Sequence, residues 1–292
     1  MKRLLCIVGS MNAGGAETFL MKVYRELDKE KYQMDFCVAE QKKNFYEDEI
    51  KKMGGRMYRI VPKSKNPIKN FAQIKKIVQE GKYNHVLRIS QNSLSSIDLL
   101  AARLGGAQKL ALRSSNSNNC GGKLNLFFHY LFRPISNRIA NIKVAPSIEA
   151  AQYMFGNKNL QNGKVVFIHN ALNFDDYKLN KQKRNQLREE LNIDKNIVIG
   201  HVGRLNYQKN HKFLLNVFAK YHEIEPEAIL ICVGTGELKQ ELMEYTKKLQ
   251  IVEFVKFLDA RADVNELYSA MDLYVFPSLF EGMPNTVIEA QA

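Results

Sequence analysis

The chain has 292 residues, of which 45% are hydrophobic, and this is enough material for two cores of ordinary size. Its formal net charge of +13 favours an anionic partner. No apolar stretch approaches the ~20 residues that a membrane-spanning helix needs. Residues 4–8 form an apolar start that is too short for a signal peptide, so the sequence predicts a cytoplasmic protein.

The first part of the chain alternates strand patterns with helix patterns, which is typical of a doubly wound parallel sheet. The predicted strands lie near 3–9, 34–39, 57–61, 84–90, 108–113, 142–145 and 164–168, and the predicted helices near 15–28, 67–80, 94–105 and 147–155.

A glycine-rich segment, residues 9–17, follows the first predicted strand and opens a helix, which is the position of a phosphate-binding turn. It contains no G-x-G-x-x-G, and Gly15-Ala16 replaces the Lys-Ser/Thr pair of a Walker A loop. The segment therefore argues against an NAD site or an ATP P-loop. A tight strand-to-helix turn without a ligand remains the alternative.

The second part of the chain repeats the alternation of strands and helices. The predicted strands lie near 197–203, 229–234, 253–257 and 273–276, and the predicted helices near 183–191, 210–222, 236–249, 263–270 and from about 286. The polar stretch 175–196 interrupts the apolar rhythm, so we place a domain boundary there. The prediction is two Rossmann-like domains, 1–178 and 179–292.

The basic charge belongs to the first predicted domain. Residues 1–178 contain 29 Lys and Arg against 14 Asp and Glu, which leaves 14 against 16 for residues 179–292. Within 62–143, 14 basic residues meet only Glu80 and Asp98. Such a surface concentrates nucleic acid, anionic lipid headgroups or diphosphate-linked substrates. Nucleic acid is disfavoured because the aromatic residues fall in apolar patterns rather than between the cations. A basic protein without an anionic partner is the alternative.

The cysteines show no metal or disulfide spacing. Cys6, Cys37, Cys120 and Cys232 are widely scattered without a C-x-x-C, and three of them lie in or beside apolar runs. The sequence therefore predicts reduced thiols in the core rather than a disulfide or zinc framework.

Two cations follow the strand predicted at 197–203. Arg204 comes directly after Gly203, and Lys209 lies near the start of the next helix. Both can therefore converge on one anion beside the amides of a helix N-terminus. The alternative is a pair of solvated surface cations.

Two carboxylates, Glu281 and Glu289, form the pattern Glu-x7-Glu across a Gly/Pro turn that opens the last helix. Glu281 falls on a loop at the carboxyl end of a parallel strand, where open α/β sheets bind ligands. Glu289, two turns into the helix, is predicted to point towards the same crevice. The alternative is that Thr286 and Glu289 form a capping box and that Glu281 is a solvated loop acid.

Taken together, these motifs resemble the family 4 retaining glycosyltransferases of GT-B fold, in particular bacterial members that build capsular or extracellular polysaccharide. The Gly-Arg…Lys and Glu-x7-Glu elements carry most of the specificity. Supporting segments that fall in family order are Gly14-Gly15-Ala16-Glu17, Val233-Gly234-Thr235-Gly236, Val255-Lys256-Phe257-Leu258, Phe276-Pro277-Ser278 and Glu281-Gly282-x-Pro284. The expected fold is α/β, with two Rossmann-like domains of which the second is incomplete.

The resemblance implies a transfer of sugar from a nucleotide-sugar, with a UDP-sugar as the expected donor. Arg204 and Lys209 would stabilise the leaving diphosphate, while Glu281 would hold hydroxyls of the donor sugar and Glu289 those of the ribose. The other expected donor-binding residues are Gly14, Gly15, Gly203, Gly234, Phe257, Leu258, Gly282, Met283, Pro284, Asn285 and Thr286. Backbone around Phe257 and Leu258 would meet the base.

The resemblance also implies that no metal or cofactor is bound, and the chain contains no D-x-D motif. The expected acceptor is a saccharide, soluble or linked to polyprenyl diphosphate, and the protein would contact the inner face of an anionic membrane. Many family members carry a His after the strand near 108–113. Here Arg113, Ser115 and Asn116 occupy that region and are the acceptor-side candidates.

Two further departures concern the turn at Asn170 and the C-terminus. Asn170 matches the family's hinge turn but lacks the Gly that follows it. Family members continue beyond the Glu-x7-Glu helix, so the resemblance implies a truncated second domain with weak or no turnover.

Two other classes of function stay open at this point. One is a non-transferring GT-B enzyme such as a nucleotide-sugar 2-epimerase, against which the Gly-Arg…Lys motif argues. The other is an inactive protein that binds anionic membranes through its basic domain.

Overall fold

The structure is a computed structural model that describes residues 1–118 and 122–292. It divides into two compact units. Unit 1 comprises Met1–Asn170 with Phe280–Met283, and unit 2 comprises Ala171–Leu279 with Pro284–Ala292. Cys120 lies outside the described residues.

Unit 1 contains a seven-stranded, all-parallel sheet in the order β3-β2-β1-β4-β5-β6-β7. Its strands are β1 (Lys2–Val8), β2 (Tyr32–Val38), β3 (Met57–Arg59), β4 (His85–Ser90), β5 (Lys109–Ser114), β6 (Ile142–Ala145) and β7 (Val165–Phe167). Its helices are α1 (Gly15–Glu26), α2 (Glu47–Lys52), α3 (Pro67–Glu80), α4 (Ser96–Leu104), α5 (Gly122–Ile139), α6 (Ile148–Phe155) and α7 (Asn157–Gln161).

Both faces of this sheet are buried, as an all-parallel sheet requires. Along β1, Leu5 and Ile7 face a core formed with α3, α4, α5 and α6, whereas Cys6 and Val8 face a core formed with α1 and α2. The alternation arises because successive strand side chains point to opposite faces. The prediction of a doubly wound sheet in this half of the chain is confirmed.

Unit 2 contains a four-stranded, all-parallel sheet in the order β10-β9-β8-β11. Its strands are β8 (Ile197–Val202), β9 (Ala228–Val233), β10 (Val255–Leu258) and β11 (Leu273–Tyr274). Its helices are α8 (Lys181–Glu190), α9 (His211–Ile224), α10 (Lys239–Lys248), α11 (Val264–Ala270) and α12 (Asn285–Gln291). Helices α9 and α10 cover one face of the sheet, and α8 and α11 cover the other.

The division between the units falls at Asn170 and Ala171, N-terminal to the boundary predicted at 178. The last backbone hydrogen bond between the β7 segment and β6 runs from Ile168 N to Ala145 O, over 3.1 Å. The residues that follow Ala171 belong with unit 2, since Asp176 O accepts a 3.0 Å hydrogen bond from the side chain of Asn265.

Helices α2, α5 and α7 have no counterpart among the predicted elements. Two of them are short, and α5 contains Pro134, which normally interrupts a helix pattern. Strand β11 is shorter than predicted, and two carbonyls beyond Tyr274 accept hydrogen bonds from side chains. His201 Nδ1 donates to the carbonyl of Val275, and Asn210 Nδ2 donates to that of Pro277.

The thiols agree with the sequence prediction wherever the structure describes them. Cys6, Cys37 and Cys232 are free and buried. Burial raises the pKa of Cys37 and of Cys232 to about 12, so both are protonated at neutral pH. None of the helices in the described part of the chain combines the length and the apolar content that a bilayer crossing requires.

Candidate functional site

The candidate site of unit 2 lies at the carboxyl ends of its strands. Strand β8 comes first in the chain, β9 pairs on one side of it and β11 on the other. The strand order therefore reverses between β8 and β11, and open α/β sheets bind ligands beside such a switch point. The loop after β8 contains Gly203, Arg204 and Lys209, so the structure brings the predicted cations to this position.

Two loops are tied together at the switch point of unit 2. Leu279 N donates to Gln208 O over 2.9 Å, and Asn210 Nδ2 donates to Pro277 O over 3.3 Å. The ammonium of Lys209 lies 4.6 Å from the centre of the Phe276 ring, a cation–π contact. Lys209 is therefore held by the loop that follows β11, as well as by its own.

The backbone around Lys209 has a defined shape. Asn206 Oδ1 accepts from Lys209 N over 3.3 Å and caps the short 3₁₀ turn Tyr207–Lys209. Asn210 adopts the left-handed conformation, with φ of 54°, before α9 begins. Asparagine tolerates this region better than most residues, which explains the Lys-Asn pair in the motif.

Behind Lys209 lie two buried histidines, His201 and His211, whose rings are 4.7 Å apart and perpendicular. His201 Nδ1 is 2.9 Å from Val275 O. Since a carbonyl only accepts, Nδ1 carries the proton and Nε2 keeps its lone pair. That Nε2 and both ring nitrogens of His211 are buried without a hydrogen-bond partner among the described residues.

Burial lowers the pKa of His201 to about 4, although the bond to Val275 opposes this. Burial, with smaller contributions from His201 and Lys209, lowers that of His211 to about 3. Both rings are therefore neutral at physiological pH and add no charge beside Lys209. The sequence motifs assign no role to either histidine.

These histidines predict a pH dependence of stability. In the unfolded chain both histidines bind protons below about pH 6.5, whereas in the folded chain they stay neutral down to about pH 4. Stability is therefore complete above pH 6.5 and is lost as the pH falls towards 4. We expect His211→Phe to remove about 2 kcal/mol of the loss between about pH 7 and about pH 5, measured by urea unfolding.

His85→Phe is the control, because His85 is partly exposed in unit 1. It should keep the pH dependence of the parent chain. If His211→Phe kept it as well, the assignment of the proton uptake to the buried pair would be wrong.

The loop after β9 packs directly on the loop after β8. Gly203 N donates to Val233 O over 2.9 Å, and Leu205 N donates to Thr235 O over 2.9 Å. A Cβ at Gly234 would lie 2.2 Å from Gly203 O, and one at Gly236 would lie 2.2 Å from Leu205 O. The two glycines therefore permit a backbone approach that no other residue allows.

Gly234→Ala is expected to lower the free energy of unfolding by about 3 kcal/mol or more. Its φ of +137° already disfavours a side chain, and the added methyl would press on the carbonyl of Gly203. The measurement is urea unfolding followed by circular dichroism. Gly9→Ala is the control and should change stability little, since nothing lies within 4 Å of a Cβ there. Equal stability of the two variants would contradict this account.

Two other predicted donor residues of unit 2, Phe257 and Leu258, lie on β10. Leu258 O accepts a 2.9 Å hydrogen bond from Gly234 N, so this carbonyl helps to shape the glycine loop. The structure therefore brings Gly203, Gly234 and the end of β10 together at the carboxyl ends of the strands.

Glu289 lies on α12 and is buried, with only 6% of its surface exposed. Its Oε2 accepts from the hydroxyl of Tyr268 over 3.1 Å, and burial followed by the charge of Glu289 raises the pKa of that hydroxyl. Sequence reasoning missed Tyr268, which lies on α11 and carries no local signal.

The capping-box interpretation of Thr286 and Glu289 is wrong. Helix α12 already begins at Asn285, Pro284 precedes it without a side-chain cap, and Thr286 stands inside the first turn. The hydroxyl of Thr286 is buried without a hydrogen-bond partner among the described residues. Thr286 and Glu289 therefore do not serve as the helix cap that the alternative required.

In unit 1 the switch point lies between β1 and β4, and the glycine-rich loop follows β1. The loop is held from outside, because Met11 N donates to Asn44 Oδ1 over 2.5 Å and Phe45 N to Asn12 Oδ1 over 3.0 Å. Gly14 is extended and precedes Gly15, the first residue of α1, without a side-chain cap. The predicted phosphate turn thus occupies the expected position in the sheet.

Arg113 ends up almost fully buried at the end of β5. Its guanidinium lies 3.8 Å from the centre of the Phe19 ring, and its Nη2 donates to Asn170 Oδ1 over 2.9 Å. Burial lowers its pKa to about 10, which still leaves it charged at neutral pH. Arg113 therefore fixes Asn170, the residue at the end of this part of unit 1.

The Glu281 segment, 280–283, belongs to unit 1 and is held there through its backbone. Ser117 Oγ donates to Glu281 O, and Asn170 Nδ2 donates to Met283 O over 2.6 Å. A Cβ at Gly282 would lie 2.8 Å from Ser115 O, so a larger residue would displace the segment. The structure therefore brings the acceptor-side candidate Ser115 next to this segment, while Asn116 is buried beside it.

Two histidines of unit 1 have structural roles. His129 accepts from Ser93 N at Nδ1 and lies 3.0 Å from Tyr153 O at Nε2, and His169 Nδ1 lies 2.7 Å from Pro146 O. Within residues 1–118 and 122–292, no group of three or more His, Cys, Asp or Glu side chains could hold a metal ion.

Each unit is thus a parallel α/β sheet with glycine-rich loops at its switch point, the arrangement of a nucleotide-binding protein. Residues 183–292 match the family model described as "Glycosyl transferases group 1". The chain is 30% identical to the Bacillus subtilis protein EpsF, named as a glycosyltransferase, over 100% of this chain and 77% of EpsF. It therefore belongs to the group 1 glycosyltransferases.

A second relative is the Campylobacter jejuni enzyme named GalNAc-alpha-(1->4)-GalNAc-alpha-(1->3)-diNAcBac-PP-undecaprenol alpha-1,4-N-acetyl-D-galactosaminyltransferase. It is 23% identical over 99% of this chain and 77% of that protein. Among solved structures, Anabaena HepE in complex with UDP-glucose is similar with a TM-score of 0.77, at 20% identity over 99% of this chain and 78% of HepE. These similarities confirm the predicted GT-B fold with two Rossmann-like domains.

Proposed function

We propose that this chain is a family 4 retaining glycosyltransferase that takes a sugar from a UDP-sugar. The acceptor is a saccharide, soluble or linked to polyprenyl diphosphate, and the product enters a capsular or extracellular polysaccharide. The proposal rests first on one observation, the placement of Arg204 and Lys209 on the loop after β8 at the switch point of unit 2.

The chemistry asks the protein to stabilise a leaving diphosphate. The bond between C1 of the sugar and the diphosphate oxygen breaks, and the electron pair leaves with UDP. The acceptor hydroxyl bonds to C1 on the same face, and its proton passes to the departing diphosphate. Arg204 and Lys209 offset the negative charge that develops there, and neutral His201 and His211 add no charge of their own.

The remaining site residues are assigned by the same proposal. Glu281 holds hydroxyls of the donor sugar, Glu289 holds the ribose, and the glycine loops contact the diphosphate. The amides from Gly282 to Thr286 reach the sugar and phosphates, and the backbone around Phe257 and Leu258 meets the base. No metal takes part in this scheme, since the two cations carry out the charge stabilisation.

The acceptor is the least constrained part of the proposal. Ser115 and Asn116 are the acceptor-side residues that follow β5, and Arg113 positions the turn at Asn170. The name of the Campylobacter jejuni relative describes a substrate linked to undecaprenol diphosphate, which supports an acceptor of that class. We therefore propose that the protein works in the cytoplasm, at the inner face of an anionic membrane.

The first experiment is calorimetric titration of the 292-residue chain with UDP, UDP-sugars and GDP-sugars. We expect UDP and one UDP-sugar to bind. Incubation of that UDP-sugar with a polyprenyl-diphosphate-linked saccharide should then release UDP and give a product whose new linkage keeps the anomeric configuration of the donor, as read by NMR.

Other outcomes would identify a different function. Free UDP with an epimerised sugar, formed without acceptor, would show the non-transferring enzyme. Tighter binding of GDP-sugars would correct the donor. A folded chain that binds anionic vesicles and no nucleotide would overturn the proposal in favour of a membrane-binding protein.

A further inference from the structure

Helix α5 exposes an apolar face in unit 1. Its five members are large apolar or aromatic side chains with 45–70% of their surface exposed: Leu124, Phe127, Tyr130, Leu131 and Ile135. Single exposed apolar residues are ordinary on protein surfaces, but a contiguous group of this size marks a binding surface. We call this group the α5 apolar face.

The spacing makes these residues one stripe. Leu124, Phe127, Leu131 and Ile135 recur three or four residues apart, so they stack along one side of the helix. The opposite side is fixed, because Ser136 Oγ donates to Ser93 O over 3.0 Å and His129 is buried. The helix therefore cannot rotate to hide the stripe without breaking these internal bonds.

The charges around this face are positive. Helix α5 contains Lys123, Arg133 and Arg138 and no Asp or Glu. The guanidinium of Arg133 lies 4.8 Å from the centre of the Tyr130 ring, so a cation borders the stripe directly. A hydrophobic stripe bordered only by cations on its own helix fits an anionic, apolar partner.

The two preceding helices extend this surface. Helices α3, α4 and α5 pack on the same core, and α4 lies against both of the others. Helix α4 exposes Leu100 and Leu104. Helix α3 exposes three lysines, Lys69, Lys75 and Lys76. The three adjacent helices therefore expose lysines on α3 and apolar side chains on α4 and α5.

Burial removes one of the two acids of this region from the surface. Asp98 is buried and pairs with Arg88 over 2.8 Å and with Lys63 over 2.7 Å. Among the described residues of 62–143, Glu80 is therefore the only exposed acidic residue. Burial also removes the cations Arg113 and Lys143, so the exposed surface of this region remains basic with fewer charges of either sign than the sequence count indicates.

We propose that the α5 apolar face inserts into the interfacial region of an anionic lipid bilayer, while Lys69, Lys75 and Lys76 contact the headgroups. An amphipathic helix with a basic border lies in the plane of the interface, and lysines near the surface strengthen the attraction. This inference deepens the proposed function, on which it rests for the membrane-linked acceptor.

A second copy of this chain is a poorer occupant of the face. A two-fold interface brings the same patch of both copies together, so it would place the basic surfaces opposite each other. Like charges facing across an interface oppose association. An anionic bilayer would bury the apolar stripe and attract the cations beside it.

The α5 apolar face follows the acceptor-side loop closely in the chain. Helix α5 begins at Gly122, shortly after Ser115 and Asn116. The end of the stripe at Leu124 is therefore its end nearest in sequence to the acceptor-side loop. Because the bilayer would contact residues that follow this loop closely in the chain, the proposed docking fits a saccharide acceptor linked to a membrane lipid.

The test is cosedimentation of the full 292-residue chain with vesicles of phosphatidylcholine, with and without about one third phosphatidylglycerol. We expect binding only with phosphatidylglycerol. Phe127→Ser combined with Leu131→Ser should weaken it at least tenfold. Phe213→Ser with Val217→Ser is the matched control, since these residues are four apart and similarly exposed on α9. Circular dichroism of both variants checks the fold.

A second variant isolates the charges. Changing Lys69, Lys75 and Lys76 to Gln should weaken binding by about fivefold per lysine and flatten its dependence on salt. The same change at Lys220, Lys247 and Lys248, which are exposed in unit 2, should leave binding nearly unchanged.

Two results would overturn the inference. One is equal vesicle binding by the parent chain and the Phe127/Leu131 variant. The other is a dimer in sedimentation analysis that this variant abolishes, with vesicle binding absent throughout. Titration with UDP in the absence of vesicles tests the donor site separately, so a failure there leaves the vesicle result intact.

Discussion

Arg204→Ala is expected to abolish detectable binding of UDP and to lower kcat/KM for sugar transfer by a factor of about 10²–10³. Arg204 lies on the loop after β8, at the switch point of unit 2 where the diphosphate is proposed to bind. An arginine side chain supplies a positive charge and can donate two parallel hydrogen bonds to phosphate oxygens. A neutral methyl group supplies neither the charge nor the donors.

The measurement is calorimetric titration with UDP, followed by release of UDP during transfer. Lys212→Ala is the matched control, because it removes one positive charge from the same segment. Lys212 is exposed and forms an ion pair with Glu241 of α10. If Arg204→Ala bound UDP as tightly as Lys212→Ala, Arg204 would have no part in the donor site.

The parallel strands and the position of the cations after β8 follow from local patterns in the sequence. The apolar runs of β1, β8 and β9 are buried on both faces, so their composition alone marks them as parallel strands. Glycine followed by a cation after such a strand places Arg204 at the carboxyl end of the sheet. These inferences need no knowledge of distant contacts.

Other features depend on contacts between residues that are far apart in the chain. Tyr268 meets Glu289 only because α11 and α12 pack together, and Arg113 meets Asn170 only in the folded unit. Helix α5 escaped prediction because Pro134 lies inside it and its apolar stripe faces outwards rather than into the core. Periodicity alone does not say which side of a helix a core covers.

The contacts around the glycines also show that they differ in importance for the structure. Gly234 and Gly236 are required by the backbone contacts that join two loops of unit 2, whereas Gly9 meets nothing. A sequence motif counts all glycines alike. The distances separate those that shape the site from those that merely follow a strand.

Glu281→Gln is expected to lower kcat by a factor of about 10²–10³ and to leave the affinity for UDP within about twofold. The segment 280–283 is held by its backbone, through Ser117 and Asn170 and the close approach of Gly282 to Ser115. These contacts run through the backbone of the segment. The substitution should therefore remove the negative charge proposed to hold the donor sugar and preserve these backbone contacts.

The two effects are measured by UDP titration and by initial rates of transfer at saturating donor. Glu253→Gln, at an exposed position of unit 2, makes the same chemical change away from the predicted site and should behave as the parent chain. A loss of UDP affinity in Glu281→Gln would show that the carboxylate shapes the loop after all. Normal transfer by this variant would remove Glu281 from the site, and the reaction would then depend on the cations of unit 2 alone.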